Sequence, residues 1–328
     1  MKIYIEYFFS ENPWGGANQF LKALRNEFLK SKKYSKSIFS SDIIIVNSHH
    51  FSYKVLLIYL FKREIKIIHR IDGPISMTRD KSYFYIDHLI HLYSKIFADG
   101  VIFQSLWSKS NNIKLGFKKK IKNIVIKNSP DKEIFFRRKK KKSSKIRIIA
   151  SSWSSNYKKG FKFLKALDSE LDFSKYEFLF VGNSPITFKN IKKKNPMKSA
   201  KLSKIYSQFD YFLTGSKNDP CSNSLLEAIQ CGLIPIYLDS GGHKEIAKNR
   251  GIKFKNKREL FNKIRNLKIN KLKNKIDIQI DDISKVAKSY FEFTKNLKKK
   301  KNNLVFRCLN ILYFLTILFF YKIFKKSL

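Results

Sequence analysis

Two acidic side chains, Asp219 and Glu227, stand eight positions apart in the stretch DPCSNSLLEAIQCGLIP, Asp219 to Pro235. One precedes a short apolar-periodic segment (Leu225, Leu226, Ala228, Ile229) and the other falls in its first turn. Gly232 then supplies a helix stop, and Ile234 to Leu238 reads as a buried strand. Carboxylates so placed can both face a cleft where a loop enters a helix. The free N–H groups and dipole of such a terminus also favour a phosphate. The same residues admit a second reading. Ser224-Leu225-Leu226-Glu227 fits a capping box, in which Glu227 returns a hydrogen bond to the cap backbone.

Other stretches could do related chemistry. The apolar run Ile3 to Phe9 is followed by Asn12-Pro13-Trp14-Gly15-Gly16-Ala17-Asn18 and then a helix pattern (Phe20, Leu21, Leu24, Phe28). Strand, glycine loop, helix lets backbone amides approach a phosphate, although a plain tight turn gives the same pattern. His69 follows the buried strand Ile65 to Ile68, at the end where open α/β sheets bind ligands. A structural histidine bonded to backbone is its alternative reading. A further glycine loop, Asp239 to Glu245, enters a short helix.

These residues need a frame to hold them. Strands at Ile43 to Val46, Val101 to Phe103 and Ile124 to Ile126 alternate with helical patterns such as Phe51 to Phe61. A composition break follows at Asp131 to Lys145, with six consecutive basic residues from Arg137 to Lys142. Such a run reads as a solvated linker. The rhythm restarts with strand Ile146 to Ala150, loop Ser151 to Lys159, helix Phe161 to Leu167, and strands Phe178 to Val181 and Tyr211 to Leu213. The expectation is α/β: two Rossmann-like, doubly wound parallel-sheet domains. The first covers 1–135, a basic linker 136–145, and the second 146–282. A helix over 283–299 runs back across the first domain, and a basic and apolar tail occupies 300–328.

Lys and Arg total 68 against 25 Asp and Glu in 328 residues, a net charge of +43, and only 11 of the 68 are Arg. The excess is spread along the whole chain. A nucleic-acid groove would show Arg and clustered aromatic platforms instead. The charge therefore reads as a Lys-rich composition that also attracts anionic surfaces. Three cysteines without a CxxC argue against a disulfide framework and for a reducing cytoplasm. Met1 to Ile5 turns polar too soon for a signal peptide. Near the other end, Lys298 to Lys301 precede 18 residues, Leu304 to Tyr321, in which Arg307 is the sole charge. Lys322, Lys325 and Lys326 follow. Three readings stay open: a spanning tail with Arg307 snorkelling, an interfacial helix, or a helix packed on the protein.

The ordered set of motifs resembles the retaining glycosyltransferases of family 4, which have the GT-B fold. The acidic pair matches most specifically: Asp219, seven residues, Glu227-Ala228, then Gly232 and Pro235. In order along the chain come Gly15-Gly16, His69, Asn128 to Phe135 (NSPDKEIF), Lys159-Gly160, Phe180-Val181-Gly182, and Gly241-Gly242 followed by Glu245. The likeness covers residues 1 to 295.

The resemblance implies sugar transfer from a nucleotide-sugar donor to a saccharide or lipid-linked acceptor. Glu227 would hold the ribose hydroxyls and Asp219 the sugar hydroxyls. Backbone amides at Cys221 and Ser222 would help hold the sugar, with Asn223 and Ser224 in the same donor-binding turn. Gly15 and Gly16 would lie against the diphosphate, and Lys159 would neutralise its growing charge. His69 would sit near the reacting carbon. No cofactor and no metal is implied, and no aspartate pair is arranged to hold one. Two departures stand out. Asp replaces Glu at 219, and no Arg precedes Lys159, leaving Lys158 as a point charge in its place. The composition and tail place the enzyme at the cytoplasmic face of a membrane, anchored through residues 298–328. An epimerase or hydrolase on the same fold, and a non-catalytic basic nucleic-acid or membrane binder, are the alternatives. Nucleotide release or an epimer without transfer to an added acceptor would single out the first, and steep salt-dependent nucleic-acid binding without nucleotide-sugar affinity the second.

Overall fold

The computed structural model describes residues 1–12, 15–268 and 278–326, with side chains to 323. Its first half holds β1 (Ile3–Glu6), α1 (Gly16–Lys30), β2 (Ile43–Asn47), α2 (Tyr53–Phe61), β3 (Lys66–Ile71), α3 (Ile75–Thr78), α4 (Phe84–Phe97), β4 (Gly100–Phe103), α5 (Leu106–Lys114) and β5 (Asn123–Val125). The second half holds β6 (Ile146–Ser152), α6 (Phe161–Glu170), β7 (Tyr176–Gly182), β8 (Lys192–Lys194), α7 (Ser199–Tyr206), β9 (Tyr211–Thr214), α8 (Asn223–Gln230), β10 (Ile234–Leu238), α9 (His243–Ile246), β11 (Ile252–Phe254) and α10 (Lys257–Arg265). Two further helices follow, α11 (Ile283–Lys295) and α12 (Leu304–Lys326).

The chain divides into two compact units, one of residues 1–8, 24–127 and 284–328, the other of residues 9–23 and 128–283. Thus α11 and α12 return to the first unit, and the early segment 9–23 belongs to the second. The boundary falls after residue 127, not at 135. The basic run is also not a free linker. Arg138 donates to Ser203 Oγ at 2.6 Å, the Lys141 N–H donates to Gln208 at 3.2 Å, and Lys140 pairs with Asp210. Side chains of α7 and its C-terminal turn offer oxygens at the right spacing, so half of the run is held on the second unit.

In the first unit β1 to β5 lie side by side in chain order, all parallel. Their apolar runs, such as Ile43 to Val46, suit strands covered on both faces. Ile3 gives its N–H to Lys33 and its carbonyl to Ser35, whereas the Lys2 carbonyl goes to Ile43. Adjacent residues of a strand point their hydrogen-bonding groups to opposite sides. The single bridge Ile3–Tyr34 therefore sits on the other side of β1 from β2, and the winding reverses there. One face of the sheet carries Ile44, Val46 and Ile67 against α2, α4 and Phe314 of α12.

The second unit has the order β11-β10-β9-β6-β7-β8. The chain starts at the central β6, winds outward through β7 and β8, then restarts on the other side at β9. The residues of β6 alternate: Ile146, Ile148 and Ala150 enter one core, Ile149 the other. This is a doubly wound parallel sheet with its switch point between β6 and β9, where ligands bind in such sheets.

Candidate active site

Three loops meet at the carboxyl end of the second sheet. The first follows β6, the second follows β9, and the third follows β10. Two glycines let them approach. Gly160 has φ +92°, and a Cβ there would lie 2.6 Å from the Gly215 backbone. Gly241 has φ +66°, and its Cβ would collide with the Asp219 carbonyl. Only glycine meets both demands. The loops are then laced by backbone: Lys217 N–H to the Lys158 carbonyl at 2.7 Å, and Gly242 N–H to the Asp219 carbonyl at 2.8 Å.

This lacing sets Lys159 Nζ 2.9 Å from Asp219 Oδ2. Burial, the largest influence, would raise the Asp219 carboxyl, but the charges of Lys159 and His243 and the hydrogen bonds from Lys159 and the Cys221 N–H together hold the acid below its usual range. The Cys221 N–H also donates to this carboxylate. That amide, expected to face the sugar, is therefore engaged by Asp219, and the Cys221 side chain is buried in the core. Ser222 is the N-cap of α8 and makes no side-chain cap bond; its hydroxyl lies 3.3 Å from that of Ser224. Lys158 stands beside Lys159 in the short 3-10 turn Tyr157–Lys159.

Glu227 does not close a capping box. With the cap at Ser222, it sits five positions into α8, too far to reach back to the cap N–H. It is 7% exposed, among Leu225, Leu226, Ala228 and Ile229. Burial alone pushes its carboxyl up to about 8. A buried acid with no hydrogen-bonding group supplied by the described residues is a group held for something else.

Gly16 belongs to the same place. It starts α1, and a Cβ on it would lie 2.5 Å from the Asn223 side chain. Asn223 in turn accepts from Asn128 at 3.0 Å. A Cβ on Gly15 would lie 3.5 Å from the Trp153 side chain. Pro13 and Trp14 of this glycine loop lie outside the described residues. The structure thus brings Gly15, Gly16, Lys158, Lys159, Asp219, Cys221, Ser222, Asn223, Ser224 and Glu227 into one unit.

His243, not singled out from the sequence, joins them. It is fully buried; Nδ1 donates to the Leu238 carbonyl at 3.0 Å, and Nε2 has no partner among the described residues. Burial depresses its pKa, and the Asp219 charge opposes that. The signal available was the glycine pair just before it, which marks a loop that turns back toward the site.

His69 belongs to the other unit, and its expected place after the strand is corrected. β3 continues through Arg70, paired with Asn47, to Ile71, paired with Phe103, so His69 lies inside the strand and not after it. It is 0% exposed, Nε2 donates to the Ser48 carbonyl at 2.7 Å and Nδ1 meets Ser94 Oγ at 2.8 Å. Burial pushes its pKa down to about 4. Both ring nitrogens are thus engaged, one of them by backbone, as in the structural reading. The residues that do reach the strand ends there are Tyr7, His49, His50 and the pair Arg70–Asp72 at 3.0 Å. Burial and the neighbouring His50 hold His49 in its neutral form.

Residues 131–280 match the family model for glycosyl transferases group 1. A search of curated proteins with the sequence finds no match. Among solved structures, sucrose-phosphate synthase from Thermosynechococcus elongatus superposes with a TM-score of 0.65 at 13% identity, over 97% of this chain and 99% of that one. Anabaena HepE in complex with UDP and glucose gives 0.61 at 14% identity, over 96% and 99%. Trehalose-6-phosphate synthase from E. coli bound with UDP-2-fluoro glucose gives 0.56 at 11%, over 86% and 79%. At these identities the structures establish the fold, and the family model covers the unit that holds Lys159, Asp219 and Glu227. Residues 131–280 form a group 1 glycosyltransferase domain, and the chain has the GT-B fold.

Proposed function

We propose that the chain moves a sugar from a nucleoside diphosphate sugar to a saccharide or lipid-linked acceptor, with retention of configuration and without a metal ion, in surface glycan synthesis. The observation that carries this reading is the ion pair at the switch point, a cationic Lys159 on one loop and Asp219 on the next, followed by the buried Glu227 of α8. Glu227 suits two ribose hydroxyls, since an ionised carboxylate accepts from both. Asp219, kept ionised by Lys159, accepts from a sugar hydroxyl. Lys159 offsets the negative charge that grows on the departing diphosphate. HepE and the trehalose enzyme are described with uridine nucleotides, and starch synthase IV with ADP, so the base is open between at least these two.

Retention rests on the family resemblance. Metal independence rests on the same resemblance, with Lys159 doing the electrostatic task that a metal would otherwise do. The acceptor is assigned to the first unit, where Tyr7, His49 and His50 reach the strand ends. The apolar and basic segment 298–328 supports work at the cytoplasmic face of a membrane. The test is calorimetry of UDP, GDP and ADP on the wild type and on Glu227→Ala. One nucleotide binds the wild type and is lost in the variant; binding of none to folded protein defeats the reading.

A further inference from the structure

Leu304–Ile323 of α12 is 20 residues long and apolar enough to cross a membrane. At about 1.5 Å per residue it would reach about 30 Å, the thickness of a hydrocarbon core. Its inner stripe argues against crossing. Arg307, 2% exposed, donates to the carbonyls of Tyr59 at 2.7 Å, Arg63 at 3.1 Å and Asn302 at 3.1 Å. Asn310 donates to the Tyr59 hydroxyl at 3.1 Å, and Phe314 is enclosed by the rings of Phe51, Tyr93 and Phe97. Tyr321 closes the far end on His88 at 2.6 Å. Spanning would strip these bonds and carry Arg307 and Asn310 toward lipid, where both are costly.

The outer stripe is the opposite in kind. Val305, Leu309, Leu312, Phe319 and Ile323 are all exposed, and the free thiol of Cys308 lies among them. The neighbouring α2, which packs against α12, presents Tyr53, Leu57 (57% exposed) and Phe61 (75%) one turn apart on its own outer side. Lysines frame both helices: Lys54 on α2, and Lys298, Lys301 and Lys322 at the ends of α12 are exposed. Lys299 and Lys300 are instead turned inward, onto Asp99 and the Lys95 carbonyl.

Resting on the membrane reading above, we propose that α12 lies in the plane of an anionic lipid surface and does not cross it, and that α2 supplies the second half of the embedded face. Charge complementarity selects the occupant. A chain of net charge +43 repels a second copy of itself, whereas apolar stripes rimmed by lysines fit acyl chains below anionic headgroups.

The test uses the full chain with vesicles of phosphatidylcholine, alone or mixed with phosphatidylglycerol. The protein is expected to co-sediment with the mixed vesicles, to do so less at high salt, and to be released by alkaline carbonate. Leu57→Glu with Phe61→Glu in α2 is expected to weaken binding about tenfold or more, as is Leu309→Glu with Leu312→Glu in α12. A polarity-sensitive dye on Cys308 should shift to the blue on binding and show that each variant remains folded off the membrane. If the α2 variant binds like wild type, or the protein resists carbonate, the in-plane two-helix face is wrong while membrane association stands. If the wild type ignores both kinds of vesicle, the membrane reading falls with it, and transfer to a soluble acceptor still tests the enzyme.

Discussion

Glu227 and His69 are both titratable, both almost completely enclosed, and both stood out in the sequence. Their fates differ. His69 has a partner on each ring nitrogen, so it completes the interior of β3 and has nothing left to offer. Glu227 has no such partner among the described residues, and its raised pKa records the cost of keeping it there. Residue type therefore says little about chemistry in a buried site. What matters is whether the fold leaves the group's hydrogen-bonding capacity uncommitted.

That contrast can be broken by substitution. The largest effect is expected at Lys159, the cation that accompanies the acidic group. Lys159→Ala should lower kcat about a hundredfold to a thousandfold with a smaller change in nucleotide affinity, measured by steady-state transfer. Glu227→Gln comes next. It should weaken nucleotide binding about tenfold or more by calorimetry, because a hydrogen bond to a charged group is worth about 1.5–3 kcal/mol. The same variant should be more stable than wild type in alkali. Folded Glu227 holds its proton to about pH 8, while the unfolded group loses it near 4.5. Between those values the folded state binds more protons, so stability falls as pH rises, by at most about 1.4 kcal/mol per unit. Thermal unfolding of the two proteins from pH 5 to pH 8 reads the difference; parallel curves would mean Glu227 is already ionised.

His69→Phe should do the reverse of Glu227→Gln. It leaves the Ser48 carbonyl and Ser94 hydroxyl without their partner, at about 1–3 kcal/mol, seen as a lower Tm. Nucleotide affinity should stay within about twofold, since His69 is not in the unit that holds Lys159 and Glu227. A large affinity loss with unchanged Tm would overturn the contrast. The smallest effect is a proton count. Ribose hydroxyls bonded to Glu227 favour its ionised form, so binding near pH 7 should release a fraction of a proton, measured by calorimetry in buffers of different ionisation enthalpy.

The sequence made the frame and the second unit's site legible for a physical reason. Buried parallel strands need continuous apolar runs, and Ile43 to Val46, Ile146 to Ala150 and Ile234 to Leu238 supply them. Loops that meet closely need glycine, and Gly160 and Gly241 are visible as letters. Other features depend on neighbours that no local pattern announces. The strand Lys192–Lys194 is three exposed lysines at a sheet edge, with no apolar alternation to betray it. Arg307 looks like a charge near the end of a membrane segment; only the free carbonyls at the end of α2 turn it inward. The run from Arg137 to Lys142 looks solvated until the α7 hydroxyl of Ser203 is set beside Arg138. His69 lies inside β3 because the strand runs three residues past Ile68, where its purely apolar letters end.

The close approach of Gly16 to Asn223 bears on how the molecule is made. Residues 9–23 leave the ribosome early, yet the unit they belong to is built mainly from residues 128–283. At about 5–20 residues per second, roughly 10–40 seconds pass between synthesis of Gly16 and of Asn223. During that time the start of α1, with Phe20 and Leu21, has no finished surface to settle on. The site is therefore not assembled until Asn223 has been made, and a nascent chain stalled before it would bind no donor.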